Sequence, residues 1–295
     1  MIVVFLVLAG LGLGSFVNAV VWRIRQQALK AQSSKLKAKQ RQTNSAFSFK
    51  RSAKSNEFSI LTGRSQCVHC GHKLAAQDLV PVLSWLWLRG RCRYCKKPIS
   101  WQYPAVELAT ALVFVGSYLF WPSDLQYAGD WLLFIAWLVS SVGLMALLVY
   151  DLRWMLLPNR ILYPTFYITL AGQLGYIAFF AANPANSFKL LALSLLISSG
   201  VFWLMFQVSR GQWIGFGDVR LGLITGTLLA DPAKSAVMIF IASLLGSIVA
   251  LPGLITGKKN LSSKLPYGPF LIIAAAIVLI LGTPIIDWYK NLLGL

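Results

Sequence analysis

The four cysteines of the sequence form two Cys-x-x-Cys pairs, and 21 residues lie between Cys70 and Cys92. Each pair presents two sulfurs to one ion, and four thiolates complete the tetrahedral coordination that Zn²⁺ prefers. The separation lies at the upper edge of zinc-ribbon spacing. Because four protein ligands leave no position for substrate or water, Cys67, Cys70, Cys92 and Cys95 predict a structural zinc site. A redox role is the alternative, and the two histidines beside the first pair are interpreted as bystanders.

The chain has only nine acidic residues, and two of them, Asp151 and Asp218, stand at the ends of apolar runs. An ionisable group at such a position is costly in a membrane and indicates function. Two adjoining carboxylates cannot both ionise easily, so one accepts a proton from attacking water while the other polarises a carbonyl. Gly215 and Gly217 would let substrate backbone approach closely. From the residues alone, an aspartic peptidase and a transporter with a proton or cation site are equally supported.

The elements that must position these residues are apolar helices. The chain is 57% hydrophobic and 12% charged, about half the charged fraction of an ordinary soluble domain. A bilayer core of about 30 Å requires about 20 apolar residues per helix. The sequence therefore predicts an all-α polytopic membrane protein with about eight transmembrane helices, of which the sixth is short. The eight apolar runs are 1–22, 104–121, 131–150, 161–182, 188–208, 219–230, 235–255 and 270–286.

The positive charge of the chain is concentrated in one segment. Residues 23–103 hold 17 of the 27 Lys and Arg but only two acids, and so supply most of the net charge of +18. A nucleic-acid partner is not expected, because the bases gather in a polar linker instead of along a folded face. Lys and Arg accumulate in cytoplasmic loops, so we predict a cytoplasmic segment 23–103 and extracytoplasmic termini. The stretch 25–59 is predicted to be a solvated, disordered linker.

Three regions follow from these patterns. The first is a transmembrane helix over 1–22, and the second is a cytoplasmic insertion over 23–103 that combines the basic linker with the four-cysteine zinc module. The third is a seven-helix membrane domain over 104–295. The expected location is the inner cell membrane, with the lipid bilayer as a partner.

Read along the whole chain, the sequence resembles the type IV prepilin peptidases, a leader peptidase and N-methyltransferase family of intramembrane aspartic proteases with a Gly-x-Gly-Asp motif. The block from Cys67 to Glu107 is the most specific part of this resemblance. The matching motifs are Gly14-Ser-Phe-Val-Asn18, Cys67-x-x-Cys-Gly-His72, Pro81-Val-Leu-Ser-Trp-Leu86, Arg89-Gly-Arg-Cys-Arg-Tyr-Cys95, Tyr103-Pro-Ala-Val-Glu107, Leu157-Pro158, Gly215-Phe-Gly-Asp218 and Pro266-Tyr-Gly-Pro-Phe270.

The resemblance implies that leader peptides are cleaved from prepilins and pseudopilins at the cytoplasmic face. It also implies that the new N-terminus is methylated with S-adenosylmethionine, and that the cysteine-rich domain binds zinc. Asp151 and Asp218 correspond to the catalytic aspartates. Asn159 stands where the family often has aspartate, and Arg220 stands where it usually has lysine.

Two other functions remain open from the sequence. The first is a membrane transporter or proton relay that uses Asp151 and Asp218. The second is a non-catalytic scaffold that recruits pilin subunits through the zinc module and the basic linker. A zinc protease is excluded by the absence of a His-Glu-x-x-His motif from the sequence.

Overall fold

The computed structural model describes residues 1–43, 65–257 and 265–294. These parts of the chain are helical, and their β-structure is limited to two isolated bridges, Gln66 with Lys73 and Arg91 with Pro98. The helices are α1 (Ile2–Thr43), α2 (Leu83–Trp87), α3 (Gln102–Leu119), α4 (Ala128–Trp154), α5 (Asn159–Phe179), α6 (Pro184–Leu195), α7 (Val201–Ser209), α8 (Phe216–Leu229), α9 (Pro232–Ile255) and α10 (Gly268–Leu293). A π-helical turn, Leu196–Gly200, joins α6 to α7.

Each of the eight predicted apolar runs overlaps at least one helix. Within the part of the chain that the structure describes, five helical segments are long and apolar enough to cross a membrane: Ile2–Ser34, Ala128–Trp154, Pro184–Ser209, Pro232–Gly253 and Gly268–Leu293. These five segments indicate a multi-pass membrane protein. The total of eight spans stays a prediction, since α8 has 14 residues and is only about 21 Å long.

The first helix is longer than the sequence patterns predict. The apolar run ends at Trp22, yet α1 continues to Thr43. The predicted disorder of the linker is therefore wrong for residues 25–43, and residues 44–59 lie outside the described part of the chain. The reason is local: Gln, Ala, Leu and Lys dominate this stretch, and all four are good helix formers even where no core is available.

The chain divides into two compact units, Met1–Leu112 and Val113–Leu295. In the first unit, α1 and α3 approach closely through Gly10 and Gly14. A Cβ atom on Gly10 would lie 2.5 Å from the Cα atom of Ala111, and one on Gly14 would lie 2.6 Å from that of Glu107. Small residues four positions apart are what allows helix backbones to meet in membranes.

In the second unit, α10 packs against α4, α8 and α9, while α5 packs against α4 and α8. Fully buried aliphatic side chains form much of this core, with Leu144 and Leu147 from α4, Leu221 and Ile224 from α8, and Leu271 and Val278 from α10. This core brings the end of α4 beside the beginnings of α8 and α10, where the acidic residues lie.

The α1–α3 contact yields a matched test. Gly14→Ala places a methyl group against the backbone of α3 and is expected to destabilise the protein by about 1–3 kcal/mol. Gly12→Ala is the control, because no described atom beyond the neighbouring backbone of α1 lies within 4 Å of a Cβ atom at Gly12 and alanine is the better helix former. Thermal unfolding in detergent should show a lower Tm for Gly14→Ala only. Equal Tm values for the two variants would contradict this contact.

Candidate functional site

Asp151 lies in the last turn of α4, and its side chain is buried. Its carboxylate accepts a hydrogen bond from the backbone N–H of Gly268. Gly268 is the first residue of α10, and the first N–H groups of a helix have no partner within the helix. A Cβ atom on Gly268 would lie 2.6 Å from Asp151 Oδ2. A larger residue at position 268 would therefore displace the Asp151 carboxylate from the position that it occupies.

Asp218 is the third residue of α8, and Gly215 is the residue that caps this helix. The Asp218 carboxylate turns back to accept a hydrogen bond from the backbone N–H of Gly215, as the acidic residue of a capping box does. The positive end of the helix dipole stabilises a negative charge at this point. A Cβ atom on Gly217 would lie 3.1 Å from the side chain of Leu157. Both glycines therefore lie at the beginning of α8. The close approach of substrate backbone to Gly215 and Gly217 stays a prediction.

The structure brings the two predicted aspartates together. The carboxylates of Asp151 and Asp218 lie close enough for the charge of one to act on the other. Tyr267, which directly precedes α10, lies within range of the charge on Asp218, and its hydroxyl is 3.4 Å from Ser243 Oγ. In a pair of adjoining carboxylates, one can accept a proton and the other can donate one, as general acid–base catalysis requires. Tyr267 and Gly268 belong to the motif Pro266-Tyr-Gly-Pro-Phe270. The residue types in this motif do not by themselves predict its role.

The position of α8 depends on buried serines that the sequence analysis missed. Three serine hydroxyls from α6 and the π-helical turn donate hydrogen bonds to backbone carbonyls of α8. These bonds join Ser194 to Gly226 at 2.7 Å, Ser198 to Gly222 at 2.9 Å and Ser199 to Val219 at 2.9 Å. Such bonds between helices fix the depth and rotation of α8, and therefore of Asp218. The available signal was a cluster of serines in an otherwise apolar helix, a composition typical of helix contacts in membranes.

Arg220 and Asn159 form a second link between helices near the aspartates. Arg220 Nη1 donates a hydrogen bond of 2.6 Å to Asn159 Oδ1, which joins α8 to the first residue of α5. The guanidinium group also lies over the ring of Phe216, 4.6 Å from its centroid. A neutral amide at position 159 is sufficient to accept this bond, so the link needs no third carboxylate there.

The four cysteines form the second candidate site. All four Sγ atoms lie within 4.8 Å of one another, and Cys67 Sγ is 3.9 Å from Cys95 Sγ. Four sulfurs at the Zn–S bond length would be about 3.8 Å apart in a tetrahedron, so the donor set and its size suit a single metal ion. The backbone folds each pair into a tight turn, with 2.9 Å bonds from the N–H of Cys67 to the carbonyl of His72 and from that of Cys92 to the carbonyl of Lys97.

The surroundings of Cys67 favour its thiolate form. Burial raises the pKa of the Cys67 thiol, but hydrogen bonds from the backbone N–H groups of Cys70 and His69 and from neighbouring thiols lower it, with a net pKa of about 7. Thiolates are the form of cysteine that binds metals. The Asp78 carboxylate accepts hydrogen bonds from Arg93 Nε at 2.7 Å and from the hydroxyl of Tyr94 at 3.2 Å, which braces the second pair against the segment between the pairs.

Comparison with known proteins gives consistent matches over both units. Residues 8–121 match the sequence model described as the bacterial peptidase A24 N-terminal domain, and residues 138–251 match that of the type IV leader peptidase family. Three similar proteins carry the name prepilin leader peptidase/N-methyltransferase. That of Burkholderia pseudomallei (strain 1026b) is 33% identical over 95% of this chain and 85% of its own length. That of Pseudomonas aeruginosa is 30% identical over 98% and 93%, and that of Aeromonas hydrophila is 32% identical over 79% and 76%. No solved structure matches significantly.

The cysteine cluster predicts about one metal ion per chain. Cys92→Ser removes a buried ligand and is expected to reduce the metal content of the purified protein severalfold, because three remaining ligands bind a soft metal more weakly. His69→Ala is the control, since only the backbone N–H of His69 contacts Cys67 Sγ. Elemental analysis measures both variants. Metal content that is unchanged in Cys92→Ser, or lost equally in His69→Ala, would contradict the assignment.

Proposed function

The chain belongs to the type IV leader peptidase family, and from this membership we propose that it cleaves the leader peptides of type IV prepilins and pseudopilins and methylates the new N-terminus. The observation that carries the peptidase function is the pair formed by Asp151 and Asp218. The alignments with these relatives cover most of this chain and most of each relative. The proposed substrates are therefore prepilins, which appear in the names of the relatives.

In the proposed reaction, the two carboxylates share one proton. The ionised member removes a proton from water as the water oxygen bonds to the scissile carbonyl carbon, and the protonated member donates a hydrogen bond to the carbonyl oxygen. The tetrahedral intermediate then loses its C–N bond as the leaving nitrogen takes up the proton that water lost. Each carboxylate accepts one backbone N–H, from Gly268 or Gly215. These bonds hold the reacting oxygens in place before substrate binds.

The two alternative functions are not favoured. A transporter or proton relay would also place Asp151 and Asp218 together, but it would not account for the sequence likeness to leader peptidases over 95% of the chain. A scaffold without catalysis would not require two carboxylates held by helix N-termini. The aspartate pair is therefore assigned to peptide hydrolysis.

We assign the cysteine cluster to a structural Zn²⁺ ion held by Cys67, Cys70, Cys92 and Cys95. When bound, the ion would lock the two turns of the module together. Four thiolates leave no open coordination position, so no step of hydrolysis passes through it. S-adenosylmethionine is proposed as the methyl donor because the relatives are named as N-methyltransferases.

We further propose an orientation in the inner membrane. The basic segment 23–103 lies in the cytoplasm, since positive loops stay on that side, and both termini of the described chain lie outside. In this orientation, Asp151 and Asp218 open to the cytoplasmic face, where the leader of a prepilin is presented.

The central prediction concerns the aspartates. Asp151→Asn or Asp218→Asn keeps the side-chain shape but removes the shared proton, and is expected to reduce cleavage by about 10⁴-fold. The assay incubates purified protein with a prepilin peptide and S-adenosylmethionine and reads the cut position and the added methyl group by mass. Asp130→Asn, at the opposite end of α4, is the matched control and should cleave normally. Normal cleavage by either site variant would exclude the proposal.

The contact between Gly268 and Asp151 provides a second prediction. Gly268→Ala retains the backbone donor but forces the carboxylate away from its position, and we expect about 10²-fold slower cleavage with normal membrane insertion. Gly246→Ala is the control, because the nearest atom to a Cβ there is 3.6 Å away in the ring of Phe270. Equal cleavage rates for the two variants would show that the position of Asp151 does not depend on Gly268.

A further inference from the structure

The short helix α2 presents an apolar face that no described part of the chain covers. Leu83, Leu86 and Trp87 are 63%, 56% and 89% exposed. Their spacing of three and four residues places them on one side of the helix. Leaving three large apolar side chains together in water is unfavourable, and such patches mark contacts with proteins or lipid.

The depth of α2 relative to the membrane helix α1 follows from contacts within the first unit. The backbone N–H of Val82, directly before α2, donates a 2.7 Å hydrogen bond to Glu107 Oε2. Glu107 in turn lies level with Gly14 of α1, where the two helix backbones touch. Gly14 is nine residues before Arg23, the first charged residue of the sequence, which corresponds to about 14 Å along the helix axis.

This depth places Val82, and so the beginning of α2, level with the apolar part of α1. A glutamate side chain and one hydrogen bond of 2.7 Å span less than the distance from Gly14 to Arg23. Val82 has a φ angle of 59°, which is rarely adopted by a β-branched residue and indicates that the surrounding contacts impose it. The bond to Glu107 also satisfies a backbone group that would otherwise be unpaired near hydrocarbon.

The charges around α2 suit a lipid surface. Arg89 and Arg91 follow the helix and are exposed, and Lys96 and Lys97 are exposed on the next turn. The helix itself contains no acid. Apolar side chains next to a cluster of bases are the combination that binds the boundary of a membrane with anionic headgroups.

We propose that α2 is an interfacial membrane anchor of the cysteine module, with Leu83, Leu86 and Trp87 inserted into the cytoplasmic leaflet beside the first turns of α3. The anchor holds the module at the membrane surface and needs no part of the peptidase chemistry. The proposed anchor requires that α1 crosses the bilayer. It does not require the roles proposed for Asp151 and Asp218.

The test uses the full chain in vesicles of phosphatidylethanolamine and phosphatidylglycerol. A photoreactive diazirine amino acid replaces Trp87, Leu83 or, as the control, Val68, which is an exposed apolar residue of the first cysteine turn. After illumination, mass spectrometry counts adducts with lipid, water and protein. We expect about tenfold more lipid adduct at positions 83 and 87 than at 68. Metal content equal to that of the unlabelled protein shows that the module is folded in each preparation.

Two results would overturn the anchor. The first is a lipid yield at 83 and 87 no higher than at 68, with water as the main product. The second is an adduct with an added prepilin peptide that replaces the lipid adduct, because the apolar face would then be a substrate contact. In either case the cleavage assay with the Asp151 and Asp218 variants remains a separate measurement of the proposed function.

Discussion

Two carboxylates set among apolar helices impose the strongest constraint on this fold, because a charge in such surroundings is stable only where polar partners are built in. The protein supplies these partners from helix beginnings, whose first N–H groups have no partner within the helix. Gly268 at the start of α10 donates to Asp151, and Gly215 at the cap of α8 donates to Asp218. The end of α4 must therefore meet the starts of two other helices at one place.

Much of the second unit holds the end of α4 and the beginnings of α8 and α10 together. The aliphatic core of α4, α8 and α10 fixes the three helices to one another, while the serines of α6 and the π-helical turn hold α8 through its backbone carbonyls. These bonds use backbone carbonyls of α8 and involve none of its side chains. Catalysis by positioned carboxylates depends on such rigidity, since a displacement of about 1 Å is enough to reduce a rate by 10²-fold.

The chemistry was easier to predict from the sequence than the structure that supports it. Cys67 to Cys95 and the two aspartates stand out because their types are rare in this chain and their spacing is restrictive. The continuation of α1 beyond residue 25 differs from the predicted linker, because this polar stretch has no apolar face but a high helix propensity. The serine contacts and the bond from Gly268 to Asp151 were also missed. The serines are a visible cluster in an apolar helix, but the sequence does not indicate which backbone carbonyls accept their hydrogen bonds. The bond from Gly268 to Asp151 has a backbone donor, which leaves no signature in a side-chain pattern.

The most direct test of the central claim is the binding of a peptide that spans the leader junction and carries a hydroxyl-bearing tetrahedral carbon in place of the scissile carbonyl. Such an analogue imitates the intermediate that the two carboxylates are proposed to stabilise together, so its affinity reports the pair without requiring turnover. The account predicts that Asp151→Asn and Asp218→Asn each bind the analogue about 10²-fold more weakly than the unchanged protein. Equal affinity in either variant would contradict the claim that both carboxylates act on one peptide bond.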